Sequence, residues 1–336
     1  MIGIDRMNEK VLRTPLKNKS TYSPTVSVIM NCLNCAPYLR EAIDSVFAQT
    51  YQDWEIIFLD NFSTDGSPEI AKIYGEKLKY FKTDQIYPLG KVRNMAIEQS
   101  QGNYIAFLDC DDIWLPTKLE RQIPIFEANS KIGLVYSNAI YFNEKNKNYQ
   151  LYKRKKPPSG FVFNEIVKKP FLCISTAIVR KKVFSDLTEW FDERFNAIED
   201  FDLFLRIAHD WEFKYVDIVL TKYRMHEKSW TFTKRYLFFE ESKILVNKIR
   251  NLYPPKNDPF NYEASLSEGI LSDASLSYER ALTYWMKGEK QKVRELLKPY
   301  LKLNKKILIS YLLSYFLSYR HYIYILKILG SRIYIT

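Results

Sequence analysis

The sequence predicts an α/β fold in which a mainly parallel sheet is followed by a helical C-terminal region. In the first part of the chain, short apolar runs alternate with stretches of helical spacing, each about 10 to 15 residues long. This alternation is typical of crossover units, because a tight turn cannot join parallel strands. Beyond Lys234 the spacing is helical throughout, and Pro254 and Pro255 mark a joint.

The first part contains three predicted strands with helices between them. The strands cover 26–30, 54–59 and 104–108, and the helices cover 38–48, 67 to about 79, and 90–100. Asn31, Asp60 and Asp109 come directly after these strands. Because the carboxyl ends of parallel strands meet at one edge of a sheet, we expect these side chains to converge on a ligand site.

The pattern of elements changes after about residue 132. Further strands are predicted at 133–142, 149–152, 173–179, 213–216 and 219–224, with a helix at 199–209. Phe201, Phe204 and Leu205 lie on one side of that helix, which indicates that this side packs against other apolar residues.

Three carboxylates follow the strand at 104–108: Asp109, Asp111 and Asp112. Acidic groups gathered at the end of a buried strand repel one another, so a cation or several hydrogen-bond donors must neutralise them. Oxygen ligands of this kind suit a hard divalent cation such as Mg²⁺ or Mn²⁺. The alternative is an acidic turn that caps a helix beginning near Leu115.

The composition indicates a folded protein that binds an anionic partner. The 336 residues are 46% hydrophobic and carry a net charge of +11, which suits a nucleotide, a lipid surface, an anionic polysaccharide or a nucleic acid. Four cysteines form no disulfide framework, and Cys32 and Cys35 lack a second ligand pair for zinc. The start of the chain is polar, and no run of 18 apolar residues is present. We therefore expect a cytoplasmic protein or one that lies on a membrane.

The order and spacing of several motifs resemble glycosyltransferase family 2 over roughly residues 24 to 230. The matching segments are Val26-Ser-Val-Ile-Met, Gln49-Thr-Tyr-x-x-Trp-Glu-Ile-Ile, Asp60-Asn-Phe-Ser-Thr-Asp-Gly-Ser, Gly90-Lys-Val-Arg-Asn, Gly102-Asn-Tyr-Ile-Ala-Phe-Leu-Asp-Cys-Asp-Asp, Pro116-x-Lys-Leu-Glu, Glu199-Asp and Tyr223-Arg-x-His. Members are inverting sugar transferases with the GT-A fold that use nucleotide-diphosphate sugars. The resemblance therefore implies an enzyme with a Rossmann-like mixed sheet, flanked by helices and followed by an α-helical appendage.

The resemblance also implies roles for individual residues. The donor would be a nucleotide-diphosphate sugar, a UDP-sugar first of all, and the acceptor a glycan or a lipid-linked glycan. For the nucleotide it implies Asp60, Arg93 and Asp109, together with Asn31 and Asn61, which stand where many relatives have other residues. For Mn²⁺ or Mg²⁺ it implies Asp111 as the firmest ligand, followed by Asp109 and His226. For the diphosphate it implies Arg224 and Ser229.

Asp200 resembles the catalytic carboxylate of the family and would remove the proton of the acceptor hydroxyl. A single in-line displacement inverts the anomeric centre, so no second nucleophilic carboxylate is needed. The structural alternative is that Glu199 and Asp200 only stabilise the first turn of a helix, where acidic groups favour the dipole.

The C-terminal region is strongly basic. Between Lys287 and Arg332 there are eleven Lys or Arg and two Glu, a net charge of +9, around an uncharged run at 307–319. As a helix this run is about 20 Å long, too short for the ~30 Å hydrocarbon core. Ser310, Ser314 and Ser318 recur every four residues. Such a helix either packs between other helices or lies in a membrane interface.

Two features of the sequence are also compatible with other functions. Asp109-Cys-Asp111 imitates the motif of haloacid-dehalogenase phosphatases, but it follows two earlier strands, whereas that family carries it on the first. The basic C-terminal region favours a non-catalytic protein that binds polysaccharide or nucleic acid, but this does not explain acids at strand ends. We therefore expect a polar leader (1–23), a GT-A domain (24–232) and a basic helical region (233–336), with no nucleic acid as partner. The expected location is the cytoplasm, with peripheral binding to the inner face of the cytoplasmic membrane.

Overall fold

A computed structural model describes residues 24–143, 148–153, 155–226, 229, 237–256, 258–303 and 305–322. The predicted leader (1–23) and the predicted limit between 232 and 233 lie outside these residues. By its internal contacts the chain divides into two compact units. The first contains the whole sheet with helices α1–α4 and α6, and the second contains α5, most of α7 and helices α8–α12.

The strands are β1 Val26–Cys32, β2 Trp54–Asp60, β3 Leu78–Lys82, β4 Tyr104–Phe107, β5 Ile113–Trp114, β6 Ile132–Phe142, β7 Asn148–Gln150, β8 Ile178–Arg180 and β9 Glu212–Arg224. The helices are α1 Ala36–Phe47, α2 Ser67–Lys72, α3 Leu89–Glu98, α4 Lys118–Ala128, α5 Phe163–Lys168, α6 Lys181–Asp186, α7 Glu199–Asp210, α8 Leu237–Leu252, α9 Glu263–Glu268, α10 Asp273–Met286, α11 Lys290–Leu297 and α12 Lys305–Leu313.

The described strands form a single mixed sheet in the order β3-β2-β1-β4-β8-β6-β9-β5, with β7 paired to β6. The half made of β3, β2, β1 and β4 is parallel, as the alternation of strands and helices predicts. Strand β8 runs antiparallel to both β4 and β6, while β6 and β9 are parallel. The predicted α/β architecture with C-terminal helices is confirmed.

Four predicted elements differ from the observed ones. The helix expected from 67 to about 79 ends at Lys72, since Gly75 turns the chain with φ +71° and Leu78–Lys82 then pairs with β2. The strand expected at 173–179 is a short 3₁₀ helix (Ile174–Thr176) followed by β8. The two strands expected at 213–216 and 219–224 are one irregular strand, β9.

Two segments of the second unit come from the middle of the sequence. Residues 161–171 and 195–209 group with the C-terminal helices, although they lie inside the predicted 24–232 domain. The core of those helices contains Tyr278, Leu282, Trp285 and Val293, all buried. The predicted domain limits remain a prediction. Within the described ranges, no helix combines the length and apolar character needed to cross a bilayer.

Candidate active site

Polar side chains end three neighbouring parallel strands at one edge of the sheet. Strand β1 lies between β2 and β4, and the register pairs Cys32 with Asp60. Asn31 is the penultimate residue of β1, and Asp109 follows β4 by two positions. The sheet therefore brings the three predicted strand-end residues to the edge where ligands bind in such folds.

Asp60 is fully buried and held by donors on both oxygens. Its Oδ1 accepts the backbone N–H of Ser63 at 2.8 Å, and its Oδ2 accepts the hydroxyl of Tyr80 at 2.6 Å. Burial and this hydrogen bond raise the pKa of the Tyr80 phenol above its usual range, so Tyr80 stays a donor. Lys82 Nζ lies 3.9 Å from Oδ2. Tyr80 is a site residue that the sequence analysis missed, because it belongs to the unexpected strand β3.

Asn61 uses both ends of its amide to hold the backbone of Tyr87. Asn61 Nδ2 donates to the carbonyl oxygen of Tyr87, and Tyr87 N–H donates to Asn61 Oδ1, each at 2.9 Å. The amide is 4% exposed. A carboxylate could not donate to the carbonyl oxygen, which gives a structural reason for Asn rather than Asp at this position.

We expect Asn61→Asp to lower the free energy of unfolding by about 1–3 kcal/mol, because a buried carbonyl loses its donor and faces a carboxylate oxygen. Urea denaturation of the variant and the parent protein measures the loss. The control is Asn103→Asp, the same change at an exposed position, with an expected effect within about 0.5 kcal/mol. Equal stability of the two variants would contradict the role of the amide.

The side chain of Asn31 holds a buried amide donor at the end of β1. Its Nδ2 atom is buried and, among the described residues, makes no hydrogen bond. The backbone oxygen of the same residue accepts the thiol of Cys110 at 3.2 Å. A buried amide donor without an acceptor costs stability, so a ligand that accepts this hydrogen bond would gain affinity.

Helix α3 positions Arg93 against the acidic cluster. Arg93 Nη2 lies 3.1 Å from Asp109 Oδ1, and its guanidinium lies over the Phe191 ring at 5.4 Å from the centroid. The neighbouring Asn94 exchanges two hydrogen bonds of 2.9 Å with the backbone of Phe191. A Cβ on Gly90 would lie 2.9 Å from the carbonyl oxygen of Asp192. The Gly-x-x-Arg-Asn motif thus docks α3 so that Arg93 reaches Asp109.

The three aspartates of the cluster have different environments. Asp109 has a side chain that is 38% exposed, and its backbone N–H donates to Ser175 Oγ at 3.2 Å. Asp111 is half-buried, whereas Asp112 is fully buried and accepts the backbone N–H of Arg224 at 2.9 Å. Burial first, and then the charges of Asp111 and Asp109, raise the pKa of Asp112 well above its usual range. Asp112 therefore ties the cluster to β9, and the other two carboxylates are the accessible ones.

Arg224 at the end of β9 is engaged with protein groups. Its Nε donates to the carbonyl oxygen of Asp111 at 2.8 Å, and its Nη2 pairs with Glu41. The guanidinium also lies over the rings of Tyr38 and Phe142, at 4.8 and 4.5 Å from the centroids. These contacts bring Arg224 beside the acidic cluster, and its predicted role as a phosphate contact stays a prediction.

The donor chemistry of the cluster fits a hard divalent cation. Among the described residues, no three His, Cys, Asp or Glu side chains are gathered as a metal-holding group. Mg²⁺ and similar ions are usually held by one or two carboxylates, with phosphate oxygens and water completing the shell. Asp109 and Asp111 offer such a pair, whereas Asp112 is buried and its raised pKa favours the neutral form of its carboxyl group. Asp111, Asp109 and His226 remain the predicted ligands.

The other predicted site residues belong to the second unit. Asp200 lies in the first turn of α7, and its Oδ1 accepts the N–H of Phe201 at 2.7 Å. In the same helix, the buried Asp202 pairs with Arg206 and Lys248. Ser229 is buried, and its N–H donates to the carbonyl oxygen of His226 at 3.1 Å.

Glu241 holds the backbone that enters α7 and is a residue that no sequence motif indicates. Its two carboxylate oxygens accept the N–H groups of Asn196 and Ala197, each at 2.9 Å. Burial raises the pKa of Glu241 above its usual range. The residue comes from α8, 45 and 44 positions after the two residues it binds, so no local pattern could have identified it.

Comparison with known proteins identifies the family. Residues 27–188 match the family model described as "Glycosyl transferase family 2". A glycosyltransferase of Methanocaldococcus jannaschii is 37% identical over 69% of this chain and 79% of its own length. A relative from Escherichia coli, named UDP-Glc:alpha-D-GlcNAc-diphosphoundecaprenol beta-1,3-glucosyltransferase, is 27% identical over 61% of this chain and 78% of its own length.

Solved structures share the fold. Staphylococcus aureus TarS 1–349 in complex with UDP-GlcNAc superimposes with a TM-score of 0.64 at 19% identity, covering 84% of this chain and 82% of that one. The mannosyltransferase PcManGT from Pyrobaculum calidifontis, in complex with GDP-Man and Mn²⁺, superimposes with a TM-score of 0.56 at 16% identity, covering 90% and 84%. Together with the strand-end motifs, these similarities lead to one conclusion: the chain belongs to glycosyltransferase family 2 and is a glycosyltransferase enzyme with the GT-A fold.

Proposed function

We propose that the protein is an inverting, metal-dependent transferase that moves a sugar from a nucleoside-diphosphate donor to a hydroxyl group of a glycan or lipid-linked acceptor. The observation that carries the proposal is the set of strand-end groups at one sheet edge, with Arg93 bonded to Asp109. The base and ribose of a nucleoside diphosphate need hydrogen-bonding partners, and its phosphates need positive charge. This edge offers both within one unit.

The donor is proposed to be a UDP-sugar. Asp60 and Asn31 would meet the base and ribose, and Asn61 would hold the loop at Tyr87 beside them. The Nδ2 atom of Asn31, which has no acceptor within the described part of the chain, would donate to the nucleotide. Arg93 and Arg224 would meet the diphosphate, and Ser229 is proposed as a further phosphate contact. The named substrate of the Escherichia coli relative and the UDP-GlcNAc complex of TarS support the choice of uridine. GDP-Man in PcManGT keeps guanosine as the next nucleotide to test.

Asp111 and Asp109, with His226, are proposed to hold Mn²⁺ or Mg²⁺. A bound divalent cation neutralises the charge that grows on a departing nucleoside diphosphate. The half-exposed carboxylates of Asp109 and Asp111 suit this role, and Mn²⁺ in the PcManGT complex supports it. Arg93, bonded to Asp109, would keep that carboxylate oriented when the nucleotide enters.

Asp200 is proposed as the general base. Its carboxylate would take the proton of the acceptor hydroxyl as the oxygen attacks the anomeric carbon from the side opposite the leaving group, which inverts that centre. Glu241 would fix the entry of α7 and so the position of Asp200.

The acceptor is proposed to belong to cell-surface polysaccharide or glycan synthesis, at the inner face of the cytoplasmic membrane. The diphosphoundecaprenol acceptor in the name of the Escherichia coli relative supports a lipid-linked substrate. The basic C-terminal region, with a net charge of +9 between Lys287 and Arg332, supports attachment to an anionic surface.

Thermal unfolding with UDP, GDP and dTDP, each with Mn²⁺ or with a chelator, tests the proposal. At about 100 times its Kd, a nucleotide stabilises the folded state by about 2.7 kcal/mol, which raises the melting temperature measurably. We expect UDP with Mn²⁺ to stabilise most and Mn²⁺ alone to have little effect. Absence of metal-dependent stabilisation by any of the three nucleotides would overturn the proposal.

A further inference from the structure

Helix α12 and the turn that follows it expose a strip of large apolar side chains. We call the strip formed by Leu308, Ile309, Leu312 and Phe316 the α12 face; these side chains are 38%, 44%, 51% and 83% exposed. Helical hydrogen bonds continue past α12, from Ser314 N–H to the carbonyl of Ser310 and from Leu317 N–H to the carbonyl of Leu313. At about 100° per residue, the four positions fall within an arc of about 100° on one side.

The opposite side of the helix is anchored in the core of the second unit. Ile307, Ser310 and Ser314 are 3%, 1% and 0% exposed. Ser310 Oγ lies 2.6 Å from the hydroxyl of Tyr322, which lies 2.6 Å from the hydroxyl of Tyr278. The serines at 310 and 314 therefore face inward, and this packing decides which side of the helix points outward.

Positively charged residues flank the α12 face along the chain. Residues 287–322 contain nine Lys or Arg and two Glu, a net charge of +7. Lys298, Lys302, Lys305 and Arg320 are exposed. Leu303, between Lys302 and Lys305, is 72% exposed. A second copy of the chain would bring an equal positive charge to this surface, which disfavours self-association. Apolar side chains within a cationic rim are complementary to an anionic lipid surface.

We infer that the α12 face docks on a bilayer that contains anionic phospholipid. Leu308, Ile309, Leu312 and Phe316 would enter the boundary between headgroups and acyl chains, with the lysines at lipid phosphates. Helix α12 has nine residues and is about 14 Å long, so it would lie along the surface of a bilayer whose hydrocarbon core is about 30 Å thick. The inference deepens the membrane attachment in the proposed function and rests on that part of it.

Sedimentation of the full chain with vesicles tests the inference. The two vesicle preparations are phosphatidylcholine alone and phosphatidylcholine mixed with phosphatidylglycerol. We expect binding to the mixed vesicles at least tenfold tighter than to phosphatidylcholine, and a loss of binding as salt is raised. No binding to the mixed vesicles would overturn the inference.

Two double variants assign the binding to this face. Leu312→Ser with Phe316→Ser should weaken binding to the mixed vesicles at least tenfold. The control is Ile244→Ser with Leu252→Ser, which removes apolar side chains of 40% and 41% exposure from α8 of the same unit and should leave binding unchanged. Equal binding by both double variants would overturn the inference.

Lys302→Gln with Lys305→Gln separates the charge contribution. Each lysine near an anionic surface contributes about a fivefold gain in binding. Replacing both should therefore weaken binding to mixed vesicles about 25-fold and change binding to phosphatidylcholine little.

A second copy of the chain is the other occupant that the experiments can identify. It would be indicated by a dimer in analytical ultracentrifugation that the Leu312 and Phe316 changes dissociate, in a protein that does not bind vesicles. Stabilisation by UDP with Mn²⁺, measured on the same variants, reports the nucleotide site separately. If UDP with Mn²⁺ fails to stabilise a protein that binds vesicles normally, the transferase proposal is contradicted and the membrane inference is not.

Discussion

Asp200→Asn is expected to lower the rate of sugar transfer by about a hundred- to ten-thousandfold, with nucleotide binding almost unchanged. An amide cannot accept the proton of the acceptor hydroxyl, and the loss of a general base has this magnitude. The amide has nearly the same shape, and its oxygen can still accept the N–H of Phe201 in the first turn of α7. The measurements are the turnover rate with donor and acceptor and the thermal shift with UDP and Mn²⁺.

Asp273→Asn is the matched control for this variant. Asp273 is an exposed carboxylate in the first turn of α10, so the same substitution removes the same charge next to a helix dipole of the same unit. Its turnover should equal that of the parent protein. If Asp200→Asn keeps full turnover, Asp200 only stabilises α7, and the base is another residue.

Asp111→Asn is expected to remove most of the metal-dependent stabilisation by UDP and to reduce transfer by about a thousandfold or more. The neutral amide is a poor ligand for a hard cation, and neutralisation of the leaving diphosphate is worth several kcal/mol in the transition state. The measurement is the difference in melting temperature between UDP with Mn²⁺ and UDP with a chelator. The nucleotide shift with chelator should persist, because Asp60, Asn31 and Arg93 are unchanged.

Asp217→Asn controls for the loss of one negative charge from the first unit. Asp217 lies in β9, has a side chain that is 45% exposed and pairs with Lys156, so its removal should alter neither the metal dependence nor the turnover. Asp109→Asn, which also removes the partner of Arg93, should weaken nucleotide binding with and without metal. Full Mn²⁺-dependent stabilisation of Asp111→Asn would show that another group binds the cation.

Local patterns predicted much of the fold and the strand-end site. Runs such as 26–30 and 54–59 are predicted to be buried strands because their branched and aromatic side chains need a core. The positions of Asn31, Asp60 and Asp109 follow from where those strands stop, and the parallel order of β1, β2 and β4 follows from the helices between them. Residues this close to a strand end are placed by chain connectivity alone.

Edge elements and distant partners could not be predicted in the same way. The sequence that leads into β3 has helical spacing, and Gly75 is the one clear break in it. Residues Leu78–Lys82 form a strand because the backbone groups of β2 pair with them. Tyr80 lies in this strand and donates to Asp60, and its role could not be predicted because the strand was not predicted. The sequence motif gave no reason for Asn at position 61. In the structure the Asn61 amide forms two hydrogen bonds with the backbone of Tyr87.

The sequence by itself determined the α/β class, the helical C-terminal region and the polar residues at the strand ends, because each depends on spacing along the chain. Only the tertiary structure decided that Asp112 binds the backbone of Arg224, that Glu241 holds the entry of α7, and that Ser310 turns inward. Each of these contacts joins side chains to partners distant in sequence. Burial and hydrogen bonding at such contacts select one of several arrangements that the sequence pattern permits equally.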